Sequence, residues 1–329
     1  MSRWIHSNIV VCFITVFATC CAGFVSAQTP LFYNFSKKDG LPSDEVYHVM
    51  QSSDGYLWFS TDRGISRFDG KEFKNFSSSN SGLPDNTVFE IQEDPIGRLW
   101  FRTYSGKLAY YYKDSIVAVL PKMSFDMILS MDVDTKDTIW ISGIKNQIHK
   151  IYFDRKKNEF DYEFVTNKYG LYEIAKGRIL HSSGIVMNKS SSKEMYSEAG
   201  EVHGPKKLIY KGFKTDITGI SVRHLNQSVE GGYWFTSHNQ ISKIESRKNC
   251  TIKLIAKPHL EGRYMILYLL NDGSKWVTTN SGVYLLDEQW KVVDKHLNKL
   301  WVTSAFADRE GNTWFTSKGR GYTITQIAK

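Results

Sequence analysis

The sequence predicts an all-β fold: a seven-bladed β-propeller closed by the N-terminal strand pairing with the last blade. Three observations predict it. A Trp-centred segment returns about every 40 residues, which marks a repeat architecture. The stretches between are short, rich in β-branched and aromatic residues, and free of any sustained helical period. The first strand after residue 27 has the form of the strand that the final repeat lacks.

Six segments share one pattern, a polar turn with Gly, then Trp in an apolar run, then Ser or Thr. They are Asp54–Thr61, Gly97–Thr103, Thr138–Gly143, Gly232–Ser237, Gly273–Thr279 and Gly311–Ser317. Their Trp residues, at 58, 100, 140, 234, 276 and 314, are 42, 40, 94, 42 and 38 residues apart. The gap of 94 is about twice the others, so one repeat has lost its Trp. Gly177–Gly184 fits there, with Leu180 in the Trp position.

Each of the seven units divides into four short strands. The first precedes the Trp run: Val46 to Met50, Val88 to Ile91, Ile128 to Val133, Leu171 to Ala175, Ile217 to Leu225, Met265 to Leu270 and Val302 to Ala307. The Trp run is the second. The third follows a polar turn with Gly, as in Ile65–Phe68. The fourth precedes the next unit, as in Phe73–Phe76. Four strands in about 40 residues, seven times over, is the arithmetic of a propeller. Leu31–Phe35 resembles Phe73–Phe76, and the unit from Val302 to Ile327 holds only three strands. An N-terminal fourth strand would complete it and cover an open edge.

The recurring Trp has a structural reading. Blades pack face to face, and an indole burying about 150–250 Å² is a rigid wedge. At about 25 cal/mol per Å² this is roughly 4–6 kcal/mol gross per blade. A row of sugar-stacking platforms is the alternative.

Residues 1–27 read as a secretory signal peptide and residues 28–329 as the propeller. Arg3 supplies a small positive n-region, Ile9 to Cys21 is the apolar run, and Val25-Ser26-Ala27 is a small-residue cleavage signature. The run is shorter than the roughly 20 residues that span a bilayer, and no later stretch qualifies as a transmembrane helix. Cys12, Cys20 and Cys21 leave with this peptide. Cys250 then stands alone and no intramolecular disulfide is expected. Hydrophobic residues are 41% and aromatic residues 14%, enough for a large core. The formal charge of +8 is scattered over Lys and Arg, which suits solvated faces and excludes a nucleic-acid channel.

Two stretches carry a family pattern. Gly40-Leu41-Pro42-Ser43-Asp44-Glu45-Val46 leads into Asp54–Thr61 and Gly64–Gly70, and Gly82-Leu83-Pro84-Asp85-Asn86-Thr87-Val88 repeats the element. This resembles the two-component regulator propeller repeat, over about residues 31–327, and later copies lose the Gly-Leu-Pro element. The resemblance implies an extracytoplasmic, periplasmic or secreted propeller that senses a ligand, a glycan fragment in several members. It also implies an immunoglobulin-like module, a membrane helix and a histidine kinase downstream. After Lys329 none of these follows. The expectation is therefore a truncated sensor, or a free-standing propeller whose partner is a kinase acting in trans.

No catalytic residue is assigned, and no metal site or cofactor. The sequence has no Gly-x-Ser-x-Gly elbow, phosphate-binding Gly loop, His-Glu-x-x-His helix or paired Cys-x-x-Cys. His48 alternates with Val46 and Met50 along an inner strand and reads as a packing or channel-lining residue. Asp94–Gly97 and Asp308–Gly311 look like sialidase Asp-box turns, but turn chemistry alone accounts for Asp and Gly there.

The best recognition surface is one rim of turns, because loops on a rigid scaffold carry binding. Turns joining second to third strands are polar. From them come the candidate ligand-binding residues Arg63, Arg102, Tyr104, His238, Asn239, Lys318 and Arg320. Arg and Lys would hold an anionic or polyhydroxyl ligand such as an oligosaccharide, and Tyr104 would stack on a ring. The plain alternative is that these are hydrated tight turns. Three functions compete: a sensor signalling through a kinase, a polysaccharide-active lyase or glycosidase, and a protein-interaction scaffold. An enzyme should show paired carboxylates or an Arg cluster at the ring centre, and no such set is evident.

Overall fold

The computed structural model describes residues 31–119, 125, 128–133, 138–143, 147–164, 171–174, 178–181, 186–188, 207–210, 213–216, 224–227, 233–237, 240–244, 252–263, 266–270, 273–318 and 324–328. The predicted signal peptide and Cys250 lie outside them. Among the described residues the structure is strands and turns, with one short 3-10 turn at Lys37–Asp39. No helix among them is long and apolar enough to cross a membrane.

Each predicted unit becomes an antiparallel meander. The first sheet is β2 (Val46–Gln51), β3 (Leu57–Thr61), β4 (Gly64–Phe68) and β5 (Phe73–Phe76), which follow the N-terminal strand β1 (Leu31–Phe35). The second is β6 (Val88–Glu93), β7 (Leu99–Thr103), β8 (Leu108–Tyr112) and β9 (Ser115–Val119). The third is β10 (Ile128–Val133), β11 (Ile139–Gly143), β12 (Gln147–Asp154) and β13 (Glu159–Phe164). The fourth has three strands, β14 (Leu171–Ile174), β15 (Arg178–His181) and β16 (Val186–Asn188), and a separate hairpin follows, β17 (Lys207–Tyr210) with β18 (Phe213–Asp216). The fifth is β19 (His224–Gln227), β20 (Tyr233–Ser237), β21 (Gln240–Ile244) and β22 (Ile252–Ala256). The sixth is β23 (Ile266–Leu269), β24 (Lys275–Thr279), β25 (Gly282–Leu286) and β26 (Val292–His296).

The last sheet closes the ring. β27 (Trp301–Ala307), β28 (Thr313–Lys318) and β29 (Ile324–Ala328) are joined by β1 on the outer edge, in the order β1-β29-β28-β27. The predicted fourth strand is supplied by the N-terminus. Each of these seven sheets touches the next in chain order, and the last touches the first. This agrees with seven blades, six of them four-stranded among the described residues. Two expectations shift. The fourth unit shows three strands, with residues 189–206 outside the described set. The first strand of the fifth unit, expected at Ile217 to Leu225, is found at His224–Gln227, and residues 217–223 are not described.

The Trp residues are the wedges between sheets. All six are buried, none more than 9% exposed. Trp58 packs into the second sheet against Val88, Ile91 and Phe101. Trp100 packs into the third against Ile128, Met131 and Ile141. Trp234 meets Leu267 and Val277 of the sixth sheet, and Trp276 meets Val302 and Phe315 of the last. Trp314 then packs into the first sheet against Val46, Val49 and Phe59. Each core cluster is thus a seam between neighbours, and the final Trp seals the ring.

Polar residues of the repeat have local work. The indole N–H of Trp58 donates to Ser52 Oγ at 3.0 Å, that of Trp100 to Asp94 Oδ2 at 2.9 Å and that of Trp314 to Asp308 Oδ2 at 2.7 Å. The acceptor stands six residues before the Trp each time. Turn chemistry alone is therefore an incomplete account of Asp94 and Asp308. The Thr that ends the second strand closes the next turn. Thr61 Oγ1 donates to Gly64 O at 2.8 Å, and Thr103 Oγ1 to Lys107 O at 2.8 Å. Gly64 has φ +117°, and a Cβ there would lie 2.1 Å from the Phe76 carbonyl oxygen, so only glycine fits.

Candidate functional site

The turns that enter the first strands and those that join second to third strands interlock on one rim. The loop before β6 holds both neighbours. Gly64 N–H donates to Asn86 O at 2.6 Å, and Tyr104 N–H to Thr87 O at 2.8 Å. Asp85 Oδ2 accepts from Ser105 N–H at 2.9 Å and its Oδ1 from Thr87 N–H at 3.1 Å. The Asp85 carboxylate is thus occupied by backbone donors, and it fixes the loop before β6 to the β7–β8 turn.

Four of the predicted residues are described there. Arg63 is exposed in the β3–β4 turn, and its own N–H donates to Thr61 Oγ1 at 2.9 Å. Beside it, Asp62 Oδ1 is buried without a hydrogen-bond partner. Tyr104 is 59% exposed, and its ring meets Phe89 edge-on at 5.9 Å. Lys318 ends β28, where its Nζ lies 3.5 Å from Glu45 Oε2 and 5.8 Å from the centre of the Tyr47 ring. Arg102 lies in β7 rather than in the turn. Its Nε donates to Glu90 Oε2 at 2.8 Å, its Nη1 donates to Ile128 O at 2.8 Å, and its guanidinium carbon stands 5.5 Å from the Phe89 ring. It ties the second sheet to the third. His238, Asn239 and Arg320 lie outside the described residues.

Two aromatic residues join the described candidates into a row. Phe89 meets Tyr47 edge-on at 5.0 Å, so the sequence Tyr104, Phe89, Tyr47, Lys318 is continuous. Tyr47 OH donates to Glu45 Oε2 at 3.0 Å. Burial, with Glu45 beside it, pushes the Tyr47 phenol well above its usual range, so it stays a donor at any ordinary pH. Both aromatics occupy one position in the repeat, the second residue of the first strand. Pairing with the second strand slips there, between Val46 and His48 and between Val88 and Glu90. The same slip recurs at Leu129 and Thr303. Such a bulge re-aims the side chain it carries.

Inward of the row is a polar group on the first strands. Glu90 is engaged on both oxygens, by Arg102 and by Gln92 Nε2 at 2.7 Å. His48 Nδ1 is buried with no partner. Burial lowers the His48 pKa, the Glu90 carboxylate opposes the shift and Arg102 adds to it. The native state therefore holds His48 neutral more strongly than the unfolded chain does. The stabilisation is full above the ordinary value of 6.5 and is lost as pH falls below it. The unfolding free energy should fall as pH drops below about 6.5, and the His48→Gln variant should show a shallower fall in parallel urea titrations. An identical slope in the two proteins would refute the burial.

Sequence comparison now has a place to act. The model of the two-component regulator propeller family matches residues 40–63 and 82–105. These two segments are two-component regulator propeller repeats. Both copies run from the Gly-Leu-Pro element through the first strand to the rim turn, so the matched residues include Tyr47, Arg63, Phe89, Arg102 and Tyr104. The fold resembles the extracellular domain of the hybrid two-component system BT3049 from B. thetaiotaomicron, at 17% identity and TM-score 0.64. That match covers 91% of this chain and 42% of the other, so the chain spans less than half of that relative. It also resembles streptogramin B lyase, at 15% identity and TM-score 0.63, over 91% of this chain and 97% of that one. Virginiamycin B lyase from Staphylococcus aureus aligns at 13% identity and TM-score 0.61, over 92% and 99% of the two chains. At these identities the likeness is one of fold. No curated protein matches the chain in sequence.

Proposed function

We propose that the chain is the extracytoplasmic ligand-sensing propeller of a two-component system, with an oligosaccharide as ligand and a histidine kinase as signalling partner. One observation carries the reading: the two matched repeats themselves supply Tyr104, Phe89 and Tyr47, which line up beside Lys318, with Arg63 exposed in the β3–β4 turn. An aromatic row suits the apolar faces of sugar rings, and flanking cations suit carboxylate or sulfate substituents. The signal-peptide-like start of the sequence supports a location outside the cytoplasm. The BT3049 domain, described as extracellular, supports it at the level of fold.

A glycan array probed with the purified chain tests this reading, with product analysis on each ligand bound. Binding without turnover is expected. Tyr104→Ala and Lys318→Ala should each weaken the best ligand about tenfold, or about 1.4 kcal/mol, with the melting temperature unchanged. Streptogramin B lyase and virginiamycin B lyase show that this fold also carries enzymes. Turnover of a bound glycan would replace the sensor by a polysaccharide-active enzyme. Binding that both variants leave intact would move the site off the rim.

A further inference from the structure

A cavity of about 460 Å³ opens at the seam between the last and first sheets, among the β2–β3, β4–β5 and β27–β28 turns. These turns lie on the face opposite the rim described above. We propose that the cavity binds an organic cation, an ammonium group carried on an apolar or aromatic body. Its volume is that of a small-molecule site.

Two kinds of group line it, and both attract positive charge. One is aromatic: Tyr33 and Phe35 of β1, with Trp314 of β28. Phe35 and Trp314 stack at 5.9 Å with 22° between their planes. Aromatic faces hold a cation within about 6 Å of the ring centre. The other kind is carboxylate. Asp69 and Glu310 come from opposite sides of the seam, and both are exposed. Asp69 Oδ1 accepts from the N–H groups of Lys71 at 2.8 Å and Glu72 at 2.7 Å. Those bonds leave Oδ2 open and hold the carboxyl below its usual range, so it is charged. Glu310 Oε2 accepts from Gln51 Nε2 at 3.0 Å.

The lining is short of donors. Gln51 Nε2 also donates to Gly55 O at 3.1 Å, and Asn312 Nδ2 donates to Asp308 Oδ2 at 2.8 Å. No Lys or Arg lines the cavity among the described residues. The nearby Arg309 guanidinium is turned to the carbonyl oxygens of Ser52 at 2.9 Å and Ser53 at 3.2 Å. Acceptors and aromatic faces without Lys or Arg disfavour an anion, and the Tyr33 hydroxyl and the second Asn312 amide hydrogen are the few side-chain donors left for a neutral polyol, which needs donors as well as acceptors. Because β1 forms the aromatic side, an occupant would also bridge the N-terminal strand to the first sheet.

Isothermal titration of the purified full chain with benzyltrimethylammonium, benzyl alcohol and cellobiose tests the proposal. One cation per chain is expected, bound about tenfold or more tighter than the alcohol or the sugar. Glu310→Gln and Asp69→Asn should each weaken the cation about tenfold, while Glu288→Gln, at an exposed turn of the sixth sheet, should not. Near-UV circular dichroism of each variant checks that the fold is kept. Equal binding of the neutral compounds, no binding of the cation, or wild-type affinity in both carboxamide variants would overturn it.

Discussion

Truncating Trp314 to alanine is expected to lower the unfolding free energy by about 3–5 kcal/mol, the cost of emptying a well-packed core site. The side chain is 2% exposed and sits among Leu41, Val46, Val49, Leu57, Phe59 and Phe68. Its indole stacks on Phe35, and it meets Phe59 at 5.9 Å and Phe68 edge-on at 6.1 Å. Leu41, Val46 and Phe68 are 273, 268 and 246 residues away in sequence, and Phe35 belongs to the strand that closes the last sheet. An alanine therefore leaves a cavity at the one seam where the two ends of the chain must meet. It also takes the indole donor from the buried Asp308 carboxylate. Urea unfolding followed by circular dichroism measures the loss. Trp314→Phe keeps part of the volume and should cost about half as much. Trp301→Ala serves as a control, since that residue is 43% exposed and surface truncations cost within about 0.5 kcal/mol. A Trp314→Ala midpoint equal to that of Trp301→Ala would mean that the ring is not sealed at this seam.

The Trp wedges were legible because a buried indole has few substitutes and its recurrence is visible in one sequence. The closing strand was legible for a related reason: Phe35 repeats the role of Phe76, each ring on an outer strand packing on the Trp of its own sheet. What escaped depends on departures from strict alternation. Tyr47 and Phe89 sit where a bulge interrupts the alternation of the first strand, so a regular strand pattern does not give their direction. Their shared place in two matched repeats was the only signal, and it reads equally as packing. In the sequence Arg102 reads as a turn residue because Thr103-Tyr104-Ser105 is turn-like. The strand runs through Thr103, whose hydroxyl closes the turn only after it, and the guanidinium is left beside Glu90. The seam cavity was invisible to any local reading, since closure alone brings residues 33, 69 and 310 together.

The acceptor six residues before Trp58, Trp100 and Trp314 leads to a second large effect. Asp308 is 8% exposed and accepts three bonds: Asn312 N–H at 2.7 Å, Asn312 Nδ2 at 2.8 Å and Trp314 Nε1 at 2.7 Å. Asp308→Ala strands the buried indole donor, while the part-buried Asn312 donors can turn to the cavity, and it should cost about 1–3 kcal/mol, because a buried unpaired donor loses its hydration. The first sheet performs the same task with a hydroxyl, Ser52 Oγ, which accepts from Trp58 and donates to Tyr56 O at 3.1 Å. Asp308→Ser should therefore recover about half of the loss, and Ser52→Ala should be as damaging at its own seam. If the indole bond is the main debt, the two substitutions at this seam must couple. Adding Asp308→Ala to Trp314→Phe should cost less than Asp308→Ala alone, by about 1 kcal/mol, since the phenyl ring presents no donor to be stranded. Strict additivity in that cycle would assign the aspartate to the turn by itself and leave the spacing of six residues without a physical cause.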